Sequence, residues 1–260
     1  MLEQPGANVT PVPAATVVLI RDADHGLETW MMRRVRAMAF APGAVVFPGG
    51  RVDPRDADVT VPWLGSDPET MAKRMGTDPR SARELVTAAV RELFEEASVL
   101  LAEPLPAGRD LALARAAIES RELTLAQFLA DSGGALRADA LQAWARWVTP
   151  PVERRRYDTW FFVTSLPPGV DATAAGSEAD QSGWIAVSQV LSAYAAGRMH
   201  LLPPTVTMLR GLAREGSVAA VLAAAPRRVL EPVHPQVTVQ PDGSIELVAA
   251  GATFRFPAPA

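Results

Sequence analysis

The sequence predicts an α/β protein, and three observations carry that prediction. Apolar runs of strand length, rich in β-branched and aromatic residues, stand at residues 14–21 and 160–166. Between them, residues 81–101 place Leu85, Ala88, Ala89, Leu93 and Ala97 on one helical stripe with Phe94 at its edge. Near the end, residues 237–240 and 244–248 flank Pro241-Asp242-Gly243, which reads as a C-terminal β-hairpin extension, with residues 252–256 as a possible third strand.

Residues 1–13 carry Pro5, Gly6, Pro11 and Pro13 and read as an arm. The strand at 14–21 turns through Asp22-Ala23-Asp24-His25-Gly26 and returns over 27–35. A short apolar strand at 44–47 runs into Pro48-Gly49-Gly50. Residues 51–80 are rich in Asp, Pro and Gly; Asp67 can cap a helix that Pro68 opens. Ser81 and Glu84 have capping-box spacing at the head of the long helix, and Pro104 and Pro106 stop it. Residues 109–147 read as helical, broken at Gly133-Gly134, with Leu141, Trp144 and Trp147 among the packing positions. After the strand at 160–166 come a polar loop at 171–183, a short strand at 184–187 and a helix capped by Ser188. Pro203-Pro204-Thr205 opens a further helix, and helical material continues over 217–225. The division is thus an arm at 1–13, one domain at 14–225 with an insertion at 51–80 and a helical segment at 109–147, and a β extension at 226–260.

Bulk properties exclude several function classes. A chain of 260 residues, 48% hydrophobic and 21% charged, can bury a sizeable core. Its net charge of -4 gives no electrostatic footprint for nucleic acid. It has no cysteine, which excludes disulfides and thiolate zinc sites and suits a reducing compartment. His25, His200 and His234 are scattered and form no metal-ligand pattern. No apolar run is long enough to span a bilayer and no targeting segment is visible, so a cytoplasmic protein is expected.

The chemistry concentrates in Arg91-Glu92-Leu93-Phe94-Glu95-Glu96. On a helix, Glu92, Glu95 and Glu96 project from one face. Such a cluster is either solvated or neutralised by hard divalent cations, which prefer carboxylate oxygen.

The Gly50 turn and this acidic helix together resemble the signature of the Nudix hydrolases, Gly-x5-Glu-x7-Arg-Glu-U-x-Glu-Glu-x-Gly-U, in which U is aliphatic. Residues 91–99 match its second half, with Ser98 in place of the final glycine. The first half is split: the glycine and arginine, ordinarily 14 positions apart, stand 41 apart, so 27 residues are inserted. Asp56 has the x5 spacing after Gly50 and Glu84 lies near the position counted back from Arg91, so either could replace the missing glutamate. A subgroup, the peroxisomal CoA-diphosphatase type and its bacterial relatives, is similar over residues 14–215. The motifs that carry this likeness are Phe40-Ala41-Pro42-Gly43 through Phe47-Pro48-Gly49-Gly50, Trp147-Val148-Thr149-Pro150, Arg155-Arg156-Tyr157-Asp158-Thr159 with Phe161-Phe162, and Pro203-Pro204-Thr205. A CoA-associated pattern before Phe-Pro-Gly-Gly keeps Gly43, fits Arg36-Ala37 in a shifted register, and has Ala39 where its second arginine would stand.

The resemblance implies an α/β/α sandwich with a mixed sheet and a helical insertion. It implies Mg2+ or Mn2+ as cofactor, held by Glu92, Glu95, Glu96 and the Gly50 carbonyl. Glu95 would also act through a water, Arg91 would orient a glutamate, and Glu178, with Asp180 second, would be the general base. Arg34, Arg36, Phe47 and Gly49 would bind substrate, with Arg155 and Arg156 as further phosphate contacts. The substrate would be a nucleotide diphosphate derivative, foremost CoA or acyl-CoA. Other nucleoside diphosphate derivatives and a non-catalytic nucleotide-binding module are the alternatives. The tail hairpin suggests a homodimer contact.

Overall fold

Strands β1 (Val12–Ala23) and β2 (Gly26–Arg34) form the expected hairpin. They belong to a computed structural model that describes residues 9–35, 41–105, 110–174 and 179–257. β1 starts two residues before the expected strand and contains Pro13, whose carbonyl accepts from the Val52 N–H. The β1–β2 ladder runs only from Ile20↔Thr29 to Ala23↔Gly26. Beyond it the strands part and residues 45–51 fill the wedge. β3 (Val45–Val46) pairs with β2, and β4 (Gly49–Arg51) pairs with β1. The Val17 N–H donates to the Pro48 carbonyl at 2.8 Å, which places the Pro-Gly-Gly turn in the opening.

The insertion holds a 3-10 turn at Pro54–Ala57, β5 (Trp63–Leu64) and α1 (Pro68–Met75), which Asp67 caps as expected. α2 (Pro79–Ala97) differs from expectation at both ends. Its cap is Asp78, which accepts from both the N–H and the hydroxyl of Ser81, and Pro79 takes the first turn. Glu84 makes no capping box; it pairs with Arg80 at the surface, 2.7 Å away. The helix stops at Ala97 because Ser98 turns left-handed (φ 57°) with its N–H on the Phe94 carbonyl. Residues 99–101 then enter the core outside any helix or strand and lead to β6 (Ala102–Glu103).

The segment 109–147 is only partly helical, which corrects the reading above. α3 (Leu111–Glu119) and α4 (Leu125–Ser132) are helices, but β7 (Ala135–Arg137) and β8 (Gln142–Val148) are strands. The helical spacing of Trp144 and Trp147 has a different cause. Ala143 and Ala145 pair with Phe162 and Phe161, adjacent residues of β9 (Tyr157–Ser165), so Trp144 is the extra residue of a bulge. The bulge brings both tryptophans to one side of the sheet although they are three apart. The polar loop expected over 171–183 likewise yields to β10 (Ala179–Ala186), which pairs along β2.

Helices α5 (Val187–Ala195), α6 (Pro203–Glu215) and α7 (Val218–Ala224) follow; α5 opens without a side-chain cap, so Ser188 does not serve as one. β11 (Pro232–Val233) joins β8 in parallel. The tail is a three-stranded antiparallel sheet of β12 (Gln236–Val239), β13 (Ile245–Ala249) and β14 (Ala252–Phe256), the last at the position expected for a third strand.

The main sheet runs β10-β2-β1-β9-β8-β11, with β1 and β9 parallel and the other long strands antiparallel. Alternation along β1 and β9 divides the core in two. Ala15, Val17, Leu19, Trp160 and Phe162 face α1, α2 and α4. Val18, Ile20, Phe161 and Val163 face the α6 and α7 side, where Ala249 and Phe254 of the tail also dock. The result is the expected α/β/α sandwich with a mixed sheet.

Candidate active site

Residues 85–94 of α2 are buried without a break, so this helix has no solvated face along its middle. A solvated acidic face is therefore not what the helix presents. Instead Glu92 and Glu96 are buried, at 9% and 8% exposure, and Glu95 is half-buried.

Arg91 holds the cluster together. Its Nε and Nη2 both donate to the Asp56 carboxylate at 2.9 Å. Nη1 donates to Glu92 at 2.8 Å and to Glu95 at 3.2 Å, and Nη2 also reaches the Arg51 carbonyl at 3.0 Å. Asp56, only 1% exposed, accepts the Asp53 N–H as well. The two acids left open by the split box lie in different surroundings. Asp56 is the buried partner of Arg91, whereas Glu84 sits at the surface with Arg80.

The glycine turn meets the helix directly. The Gly49 N–H donates to Glu96 at 2.7 Å. A side chain at Gly50 would place its Cβ 2.7 Å from the Glu92 carboxyl carbon, and one at Gly49 would place its Cβ 2.7 Å from Thr16 Cα. Gly49 is therefore required by the close approach of backbone, whereas a side chain at Gly50 would displace the Glu92 carboxylate.

Charge balance explains the electrostatics. Burial pushes Glu92 up to about 7; the Arg91 charge opposes this and the Glu95 and Asp56 charges add to it. Burial also raises Glu95. Burial works against the Arg91 charge, but the Asp56 hydrogen bonds and the surrounding carboxylates outweigh it and hold its pKa above the ordinary arginine range. The donor set fits a hard cation: Glu92, Glu95, Glu96 and the Gly50 carbonyl offer oxygen, and no histidine lines the cleft. The carboxylates lean on Arg91 and Gly49, and among the described residues no three acidic or histidine side chains already converge on one ion-sized point.

A cleft of about 790 Å³ opens onto this cluster. Segments far apart in sequence line it together: Arg34, Phe47, Gly49 and Gly50, the three glutamates, residues 147–150, Tyr157 and Thr159, and Pro203-Pro204-Thr205. Arg155 does not line it, and Arg156 donates to the Thr149 carbonyl beside an adjoining cavity of about 250 Å³. Arg36 and Glu178 lie outside the described residues. Asp180 falls in β10 rather than in a loop. Sequence reasoning missed Arg51, Asp53, Arg55 and Arg121, which also line the cleft. Asp53 accepts from Arg55 at 2.9 Å and from Arg121 at 3.4 Å, and the Arg55 hydrogen bond holds its pKa down at about 2. The first three of these flank Asp56 in sequence; Arg121 gave no signal.

Several known proteins are similar to this chain. The family model of the NUDT19 Nudix domain matches residues 81–212. The putative nudix hydrolase 7 of Caenorhabditis elegans is 29% identical over 190 residues, covering 71% of this chain and 55% of that protein. The acyl-coenzyme A diphosphatase NUDT19 of Homo sapiens is 28% identical over 272 residues, covering 86% of this chain and 71% of that protein. This chain thus spans about half the length of the worm protein. The crystal structure of a NUDIX hydrolase from Alicyclobacillus acidocaldarius superimposes with a TM-score of 0.69 at 26% identity, over 84% of this chain and 97% of that one. No helix among the described residues is long and apolar enough to cross a membrane. Half of the chain matches the family model, and the cleft gathers its box helix, glycine turn and outlying motifs; the chain belongs to the Nudix family, with a domain of the NUDT19 type.

Proposed function

We propose that this chain is a divalent-metal-dependent diphosphatase. It hydrolyses a diphosphate linkage in a nucleotide derivative, and CoA or acyl-CoA is the leading substrate. Water adds across the P–O–P bridge of CoA, leaving phosphopantetheine and adenosine 3',5'-bisphosphate. The observation that carries the reading is the charge excess on α2. Asp56, Glu92 and Glu95 share one guanidinium, Glu96 stands beside them on the Gly49 N–H, and the three glutamates line the cleft.

Glu92, Glu95 and Glu96, with the Gly50 carbonyl, would hold Mg2+ or Mn2+. The bound cation would supply charge neutralisation at the diphosphate and a more acidic water. Arg91 is a positioning residue: pinned by Asp56, it fixes Glu92 and Glu95 and does not line up on substrate by itself. Glu178, with Asp180 second, is the proposed general base. Arg34 and Arg36 would take phosphate charge, and Phe47 and Gly49 form the wall beside it. A cytoplasmic setting and a homodimer through the tail belong to the same reading, and cell fractionation and light scattering test them.

Support for CoA comes from the name of the human relative. Ala39, standing where the CoA-associated pattern has arginine, favours a second reading with another nucleoside diphosphate derivative as substrate. A non-catalytic module is disfavoured because all three glutamates are retained. The test is hydrolysis of CoA, acyl-CoA, NADH, ADP-ribose and nucleotide sugars with Mg2+ or Mn2+, with Glu96→Gln as control. Preference for CoA supports the first reading and preference for ADP-ribose or a nucleotide sugar supports the second. A wild type as silent as the control on the whole panel sinks both.

A further inference from the structure

The inserted loop after Gly50 does more than interrupt the box. Its capping box is closed both ways: the Arg55 N–H donates to Asp53 at 2.9 Å, and the Asp53 N–H donates to Asp56 at 2.7 Å. Because Asp56 is clamped by Arg91, the loop is tied to the helix that carries the glutamates. It holds Arg51 and Arg55 on the cleft wall.

Arg121 reaches the same place from the turn after α3. Its backbone is left-handed (φ 69°), with its N–H on the Ile118 carbonyl. Glycine is the usual residue at such a helix end, and a side chain there costs ~1 kcal/mol. Here the position carries an arginine whose Nη2 lies 3.4 Å from Asp53.

The charge balance on this wall is the reverse of that on α2. Asp53 is the one carboxylate shared by Arg55 and Arg121, and Glu119 on the same wall is taken by Arg115 at 3.1 Å. Nη1 of Arg55 is buried and has no hydrogen-bond partner among the described residues. Guanidinium forks in this arrangement suit phosphate oxygens.

We infer that Arg55 and Arg121, braced around Asp53, form an anion subsite in the cleft for a phosphate monoester of the substrate, distinct from the diphosphate that is cleaved. Within the proposed diphosphatase reading, that group is the 3'-phosphate of CoA.

The test compares Arg121→Gly with wild type. Glycine relieves the left-handed strain, so the variant folds, and its melting temperature verifies this. The first readout is the ratio of kcat/KM for CoA over dephospho-CoA, expected to fall about tenfold. A ratio within twofold of wild type overturns the subsite, because the arginine then acts on both substrates alike. The second readout needs no turnover: calorimetric binding of adenosine 3',5'-bisphosphate against AMP, without metal. Wild type should prefer the bisphosphate, and Arg121→Gly should lose most of that preference. If wild type cleaves neither CoA nor dephospho-CoA, the diphosphatase reading fails on its own, and binding alone decides the subsite. Equal binding of the two nucleotides by wild type overturns it.

Discussion

Around Arg91, one guanidinium faces the carboxylates of Asp56, Glu92 and Glu95, with Glu96 beside them on Gly49. Around Asp53, a few residues away, one carboxylate faces the guanidiniums of Arg55 and Arg121. Both clusters line one cleft and both are built from Arg–carboxylate pairs. They differ in ratio and in burial. Arg91 and Asp56 are nearly sealed, at side-chain exposures of 7% and 2%, whereas Arg121 is 68% exposed. The ratio decides which ion each cluster lacks, a cation at the first and an anion at the second. Burial decides how much that lack is worth, because screening by water weakens exposed pairs.

The contrast can be broken at several points. The largest effect is expected at Glu96→Gln. It keeps the fold, since the amide oxygen still accepts the Gly49 N–H, but turnover with Mg2+ should fall on the order of a thousandfold, ~4 kcal/mol in the barrier. Steady-state kinetics with a circular-dichroism control measures it; a variant as active as wild type would remove the glutamates from the site.

Next comes Asp56→Ala, which leaves Arg91 buried without its bidentate partner. Breaking such a pair from one side costs about 3 kcal/mol or more. Urea unfolding should register this, and Glu84→Ala, at the surface, should cost less than ~0.5 kcal/mol. Equal losses at the two positions would mean that Asp56 is not the structural replacement for the box glutamate.

The acidic cluster should also betray itself through pH. Glu92 has a folded pKa pushed up to about 7, so between its unfolded value of 4.5 and 7 the folded state binds more protons than the unfolded. Its contribution to stability is therefore lost as pH rises through that window, and the penalty is complete above pH 7. In EDTA, Glu92→Gln should gain stability relative to wild type between pH 5 and pH 8, by about 2 kcal/mol. Added Mn2+ should cancel the trend in wild type. A stability difference between the two proteins that is flat with pH would show that Glu92 is not strained by burial.

At the second cluster, Arg121→Gly should shift substrate selectivity about tenfold, ~1.4 kcal/mol, through the kinetic ratio described above. Smallest is Ser98→Gly at the end of α2, which should stabilise the protein by ~1 kcal/mol without changing turnover. Thermal unfolding checks it, and a loss of stability would contradict the left-handed geometry at φ 57°.

Local signals in the chain were enough for the β1–β2 hairpin, α1 with its Asp67 cap, the helix that carries the glutamates and the tail strands. Each rests on a period or a turn residue that acts within a few positions. The end of α2 at Ser98 is not legible locally because residues 99–101 are as apolar as a helix face, and only the left-handed turn at Ser98 takes the chain out of the helix. Residues 141–147 were misread because a bulge in β8 gives Trp144 and Trp147 a helical spacing, and a bulge exists only relative to a partner strand.

The same division holds at the site. The acids Glu92, Glu95 and Glu96 and the turn at Gly49-Gly50 were legible from residue type and spacing, because a helix fixes the relation of positions three and four apart. That they meet, that Asp56 and not Glu84 holds Arg91, and that Arg121 joins Asp53 are contacts between segments 35 to 68 positions apart. No local preference encodes such contacts. They follow from the parting of β1 and β2, which admits the glycine turn, and from the burial of α2, which turns an ordinary acidic stretch into a charge excess largely withdrawn from solvent.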